Sequence, residues 1–125
     1  MDVRQLRYFS EIVEAKSFTR AADRVRVAQP ALGLQIRKLE EELGVSLLHR
    51  HSRGVEPTEA GTVLLAHANA ILKQVEQAQR ETAEQMQQAM QRAMSARQEA
   101  ERAHNEVRRV GEEAQRARLA AEEGA

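Results

Sequence analysis

Apolar residues along the first third of the chain recur three and four positions apart, the spacing that gathers them on one face of a helix. Residues 3–15 are predicted to form a first helix with Leu6, Phe9, Ile12 and Val13 inward. Residues 18–25 follow as a second, with Phe18, Ala21, Ala22 and Val25 on one side. Residues 29–43 make a third that opens at Gln29-Pro30 and buries Leu32, Ile36, Leu39 and Leu43, spaced by four, three and four residues. The small pair Ala21-Ala22 permits a close helix crossing, and the connector Arg26-Val27-Ala28 is short enough for a sharp angle. Two short helices so joined make a helix-turn-helix pattern at about residues 18–37.

Beyond Gly44, which suits the position just past a helix C-terminus, the period changes. Val45 to Pro57 contains Leu47-Leu48, a polar tip His51-Ser52-Arg53-Gly54, and Val55, and reads as a two-stranded ribbon with Gly54 in its turn. Thr58 is placed to cap a following helix, with Glu59 in its first turn, and nothing stops that helix until Gly111 or the C-terminus. From Leu65 a three-four alternation runs through Ala68, Leu72, Val75, Gln79, Thr82 and Met86, then through an Ala-dominated stretch to Ala121 that includes Val107 and Val110. A sustained heptad predicts a coiled coil. Alanine buries little area at ~25 cal/mol per Å², so the later part is expected to associate weakly alone. The fold class expected is mainly all-α: a winged helix-turn-helix with a small β-ribbon over residues 1–58, a linker and dimerisation helix over 59–80, and an Ala/Glu/Gln/Arg-rich helical tail over 81–125.

Composition sharpens this picture. With 125 residues and 2% aromatic content, the chain holds one small domain plus an extension and no large aromatic core. It has no cysteine, which removes disulfides and thiolate metal sites and fits a reducing cytoplasm. No signal-like start or membrane-length apolar run is present in the sequence, so a cytoplasmic, nucleoid-associated protein without membrane contact is expected. Net charge is zero, yet residues 1–80 carry 12 Lys/Arg against 10 Asp/Glu and residues 81–125 carry 7 Arg against 9 Glu. Arg20, Arg24, Arg26, Arg37, Arg50 and Arg53 surround the start of the third helix and the loop after it, so the local field there is positive.

The run from Leu6 to about Glu76 resembles the DNA-binding domain and linker helix of LysR-type bacterial transcriptional regulators. FTRAAD, QPAL, QIRKLEEELG, LLHR and PTEAG occur in that family's order and spacing. The resemblance implies a dimer whose winged domains are joined by antiparallel linker helices and which binds interrupted palindromes near promoters. Leu64, Leu65, Ala68, Ile71, Leu72 and Val75 are the residues expected to pair the two copies. Two recognition helices would then reach half-sites about 34 Å, or a multiple, apart. Members of the family usually continue into a two-subdomain effector-binding region. The tail stands in that place here, so no small-molecule effector site is expected. Ala28 replaces a common Ser before QPAL, and Gly33-Leu34 replaces a common Ser-Arg after it, so the operator cannot be carried over from relatives.

On the third helix, Gln29, Pro30, Gly33, Leu34 and Arg37 alternate with the buried stripe and would face the major groove. The Gln29 amide is able to pair bidentately with adenine, and Leu34 to meet a thymine methyl. On the ribbon, Arg50, His51 and Arg53 are offered to phosphates or to the minor groove, with Arg53 the stronger candidate. Thr19 and Arg20 are placed for a phosphate contact at the start of the second helix.

No catalytic residue is expected. His49, His51, His67 and His104 are scattered without metal-ligand company, and neither a glycine-rich phosphate loop nor a nucleophile beside a base occurs. Glu40, Glu41 and Glu42 read as a solvated helix end, and neither metal nor cofactor is called for. A competing interpretation makes the long helix the working part, as a coiled-coil interaction protein or a truncated regulator whose winged domain binds DNA only weakly.

Overall fold

The structure, a computed structural model, describes residues 1–124. Three helices come first: α1 (Val3–Ala15), α2 (Phe18–Val25) and α3 (Gln29–Leu43). A two-stranded antiparallel ribbon of β1 (Leu48–His51) and β2 (Gly54–Pro57) follows, paired from Leu48 opposite Pro57 to His51 opposite Gly54. The helix α4 (Glu59–Glu123) completes the chain and runs straight through Gly111 without ending there. The molecule divides into two compact units, residues 1–79 and a second unit beginning at Arg80.

The first two helices are each started by a local acceptor. Asp2 Oδ1 accepts from the Gln5 N–H at 2.7 Å while Gln5 Oε1 accepts from the Asp2 N–H at 3.2 Å, a reciprocal capping box. Ser17 Oγ accepts from the Arg20 N–H at 3.2 Å to start α2. Nothing caps α3: Ala28 has no side-chain acceptor, as expected, and Pro30 sits in the first turn, where its missing N–H costs nothing. α1 and α2 are each closed by a left-handed residue, Lys16 at φ 55° and Arg26 at φ 57°, and Gly44 closes α3 at φ 69°.

Phe9, Ile12, Leu32, Ile36, Leu39 and Leu47 are the large side chains closed off completely from solvent, joined by Leu48 and Val55 of the ribbon. Each such side chain contributes about 1.5–3 kcal/mol. Val13 and Val25 are half-buried against this core. Leu43, expected at the end of the buried stripe, is 41% exposed, because the last turn of α3 runs past the elements on which it packs.

Glu40 is no solvated helix end. Its carboxylate turns back over the end of α3 and accepts from the Leu47 N–H at 2.7 Å and from Ser46 Oγ at 3.2 Å. Thr58 grips the same segment from the other side: its N–H donates to the Leu47 carbonyl at 3.0 Å and its hydroxyl to the Ser46 carbonyl at 2.7 Å. The Thr58 hydroxyl also accepts from the Gly61 N–H at 3.0 Å, which is the N-cap that the sequence suggested for α4. Gly61 is buried hard against this knot, and a Cβ there would stand 2.1 Å from the Leu47 carbonyl oxygen. The ribbon is tied to the α1–α2 turn as well: the Val55 N–H donates to the Lys16 carbonyl at 3.2 Å, and at Gly54 (φ 136°) a Cβ would lie 2.5 Å from that same oxygen.

Within the first unit, α4 lies along α1, with Ser10 Oγ donating to Asn69 Oδ1 at 3.0 Å. Ala68, grouped in sequence with the pairing positions, is instead fully buried inside its own protomer, and Leu64 and Leu65 pack in part against the core. The helical period that marks a seam marks an intramolecular face equally well.

The two helical glycines of α4 make a contrast that can be measured. Gly61→Ala is expected to lower stability by about 1–3 kcal/mol, through overpacking against backbone that cannot give way. Gly111→Ala, where an added Cβ meets nothing within 4 Å, is expected to strengthen its helix by about 1 kcal/mol. Thermal unfolding followed by circular dichroism distinguishes the two signs.

Candidate nucleic-acid interface

The uncapped start of α3 and the first turn of α2 meet at the surface. Gln29, Pro30 and Arg37 are exposed, Gly33 is half-buried, and Leu34 is 45% exposed on the outward side of α3. Thr19 Oγ1 donates to Gln29 Oε1 at 3.1 Å, tying the two helices of the motif together through a pair read separately in the sequence. With its oxygen so engaged, the Gln29 amide keeps its N–H groups as the donors it can offer a ligand.

Arg50 leaves the ribbon toward this same place. Its guanidinium lies 4.1 Å from the centroid of the Phe18 ring, a stacked cation–π contact. Phe18, Gln29, Pro30, Gly33, Arg37 and Arg50 thus line one cleft, built from α2, α3 and β1. Phe18 was legible only as a core residue. It is buried, yet one ring face supports the arginine.

His51 and Arg53 lie apart from this cleft. They line a groove with Val13, Lys16, Val55, Glu56 and Pro57. Strand alternation separates His51 from Arg50, since neighbouring residues of β1 face opposite ways, and Arg53 lies beyond β1 in the turn. His51 is held within the ribbon: its Nδ1 accepts from the Arg53 N–H at 3.2 Å and its Nε2 lies 3.3 Å from Glu56 Oε1. Arg53 itself is exposed at the ribbon tip, and Arg20 is exposed in the first turn of α2. Arg24, counted with the positive field around the third helix, faces α1 and lies 3.6 Å from Glu11 and 3.8 Å from Glu14. Among the described residues, no group of three His, Asp or Glu side chains is arranged to hold a metal ion, and no helix is long and apolar enough to cross a membrane.

Residues 3–62 match the family profile described as bacterial regulatory helix-turn-helix protein, lysR family. The crystal structure of the BenM DNA-binding domain with catB site 1 DNA superposes with a TM-score of 0.64 at 48% identity, covering 66% of this chain and 92% of that one. The chain belongs to the LysR family. The DNA-binding domain of CbnR, also solved with DNA, is similar at 40% identity and a TM-score of 0.62, over 66% of this chain and 94% of that one. Among curated LysR-family relatives, the nitrogen assimilation regulatory protein nac of Escherichia coli K12 is 53% identical over 79 residues, 63% of this chain and 26% of the relative. The regulator BenM of Acinetobacter baylyi is 49% identical over 77 residues, 62% of this chain and 25% of the relative. The chain therefore spans about a quarter of the length of these relatives.

The stacked pair of this LysR-type domain is open to direct test. A double-mutant cycle on Phe18→Leu and Arg50→Ala, read by urea unfolding, is expected to return a coupling of about 0.5–1 kcal/mol. A coupling near zero would show that the guanidinium is not held on the ring.

Proposed function

We propose that this chain is a sequence-specific transcription regulator of the LysR type that binds interrupted palindromic promoter DNA as a dimer. The observation that carries this reading is the cleft at the start of α3, where Gln29, Arg37 and Arg50 converge on one exposed surface. That the similar BenM and CbnR domains were solved with DNA supports it. α3 enters the major groove by its N-terminal end, where the Gln29 N–H groups address base acceptors and exposed Leu34 addresses a thymine methyl. Pro30 and Gly33 let the backbone come close. Arg37 and Arg50 contact the backbone beside the groove, while Thr19 and Arg20 hold a phosphate at the start of α2. Arg53, with His51 behind it, reaches the adjacent phosphates or minor groove. Such a protein works on the nucleoid in the cytoplasm and needs no cofactor for binding.

The dimer forms through the first part of α4. Ile71, 38% exposed, with Leu72 and Val75 supplies the surface, and the outer parts of Leu64 and Leu65 extend it. Ala68 contributes only by holding α4 in place from within.

Binding to DNA from upstream of the chain's own gene, followed by fluorescence anisotropy at several salt concentrations against scrambled competitor, tests the proposal. Tight binding that survives competitor with two protomers per site is expected; binding indifferent to sequence would overturn it. Gln29→Ala is expected to cost about 1–3 kcal/mol on the specific site alone. Arg53→Ala should weaken binding to every sequence and reduce the salt slope by about one. Equal loss on specific and scrambled DNA for Gln29→Ala would remove it from base reading. A second reading, that α4 is the working part of an interaction protein, is favoured by one observation: every described residue from Gln77 onward is solvent-exposed. Truncation after Glu81 separates the two, since retained dimerisation and specific binding make the remainder dispensable for DNA recognition.

A further inference from the structure

The second unit of the molecule, which begins at Arg80, carries a surface outside the proposed DNA interface. Its seam over residues 97–121 consists of Ala100, Ala103, Val107, Val110, Ala114 and Ala117, with Ala121 beyond, and none of it is covered within the chain. Val107 is 72% exposed and Val110 52%, an unusual state for valines placed at successive inward positions of a heptad.

The residues bordering this seam are sorted by sign. One border carries Glu99, Glu106 and Glu113; the other carries Arg97, His104 and Arg118, with Gly111 between the last two. Arg97 and Arg118 therefore attract the acidic border, which repels its own kind. In a parallel pair of helices, the border preceding the seam of one faces the border following the seam of the other, one heptad on. Glu113 then meets Arg118 of the second copy, Glu99 meets His104, and Glu106 meets Gly111. An antiparallel pair sets Glu against Glu and the basic border against itself.

One heptad upstream the pattern fails, because Arg92 would face Arg97. Arg97 is partly neutralised by Glu101 at 3.5 Å, but the like charges still mark the lower limit of favourable pairing. Along the helix, Arg109 lies 2.6 Å from Glu106 and 3.5 Å from Glu113, which steadies the acidic border without removing it from solvent, Glu113 being 61% exposed.

We propose that residues 97–121 form a parallel two-stranded coiled coil with a copy of this chain other than the one that antiparallel linker helices would pair through residues 59–80. This pairing is separate from the one proposed for residues 59–80, and it holds whether or not the winged domain binds DNA.

The absence of cysteine makes the orientation measurable in the full chain. In a parallel pair every seam residue meets its own counterpart, whereas in an antiparallel pair only one layer does. Single variants Ala100→Cys, Val110→Cys and Ala117→Cys, oxidised at low protein concentration, are therefore all expected to give disulfide-linked dimers. Each should form at least ~10-fold faster than from Gln98→Cys on the outer face, the gain when pairing makes the encounter intramolecular. Crosslinking at only one of the three positions would establish the antiparallel arrangement and overturn the proposal. Crosslinking no faster than Gln98→Cys would do the same, leaving the seam to a different partner or to none. Arg118→Glu is expected to reduce crosslinking of Val110→Cys, and the exchange Glu113→Arg with Arg118→Glu to restore it. Indifference to Arg118→Glu would remove the charge pairing on which the orientation rests.

Discussion

The backbone of Ser46 and Leu47 is the point on which the first unit turns. From one side the Glu40 carboxylate holds the Leu47 N–H; from the other Thr58 holds both carbonyls, and Gly61 lets the first turn of α4 settle against them. A short irregular segment would ordinarily leave these polar groups to water, at a cost if they became buried. Here they are satisfied by the two helices that the segment separates, so the end of α3, the root of the ribbon and the start of α4 share one set of hydrogen bonds. Hydrophobic burial supplies most of the stability, but it is non-directional and does not set angles. These bonds do.

Much of this was legible in the sequence, and the legible part has one character. The helices α1, α2 and α3, the ribbon turn at Gly54 and the Thr58 cap all follow from signals within a few residues of each other: apolar spacing, a glycine, a hydroxyl before an acidic first turn. The outward positions of α3 were legible for the same reason, since they are those the buried stripe leaves over. What escaped was whatever depended on distant residues meeting. Glu40 looked like one of three equivalent glutamates until the chain folded back over it. Arg24 looked like part of a positive surface until α1 presented Glu11 and Glu14. Thr19 and Gln29 were each identified, but not as a hydrogen-bonded pair.

Ala68 and Leu43 show the same limit from the side of burial. A period of 3.6 tells which residues share a face, and nothing about what covers it. Ala68 is covered by its own protomer, and Leu43, on an equally good stripe, is left 41% exposed because the core ends before the helix does. The distinction matters along α4, where one continuous heptad passes from a stretch packed on the winged domain to a stretch wholly in solvent.

The attachment of the wing to the Lys16 carbonyl carries a consequence for recognition. With Val55 bonded there and Gly54 pressed against the same oxygen, the ribbon is tied down on one side, and Arg50, stacked on Phe18, ties it on the other. The span between the recognition helix and the ribbon tip is then a caliper of set opening. A duplex in the proposed complex must conform to that opening, at an elastic cost that varies with the stiffness of its base steps. Discrimination of this kind reaches base pairs that no side chain touches, and it is written in the rigidity of the protein.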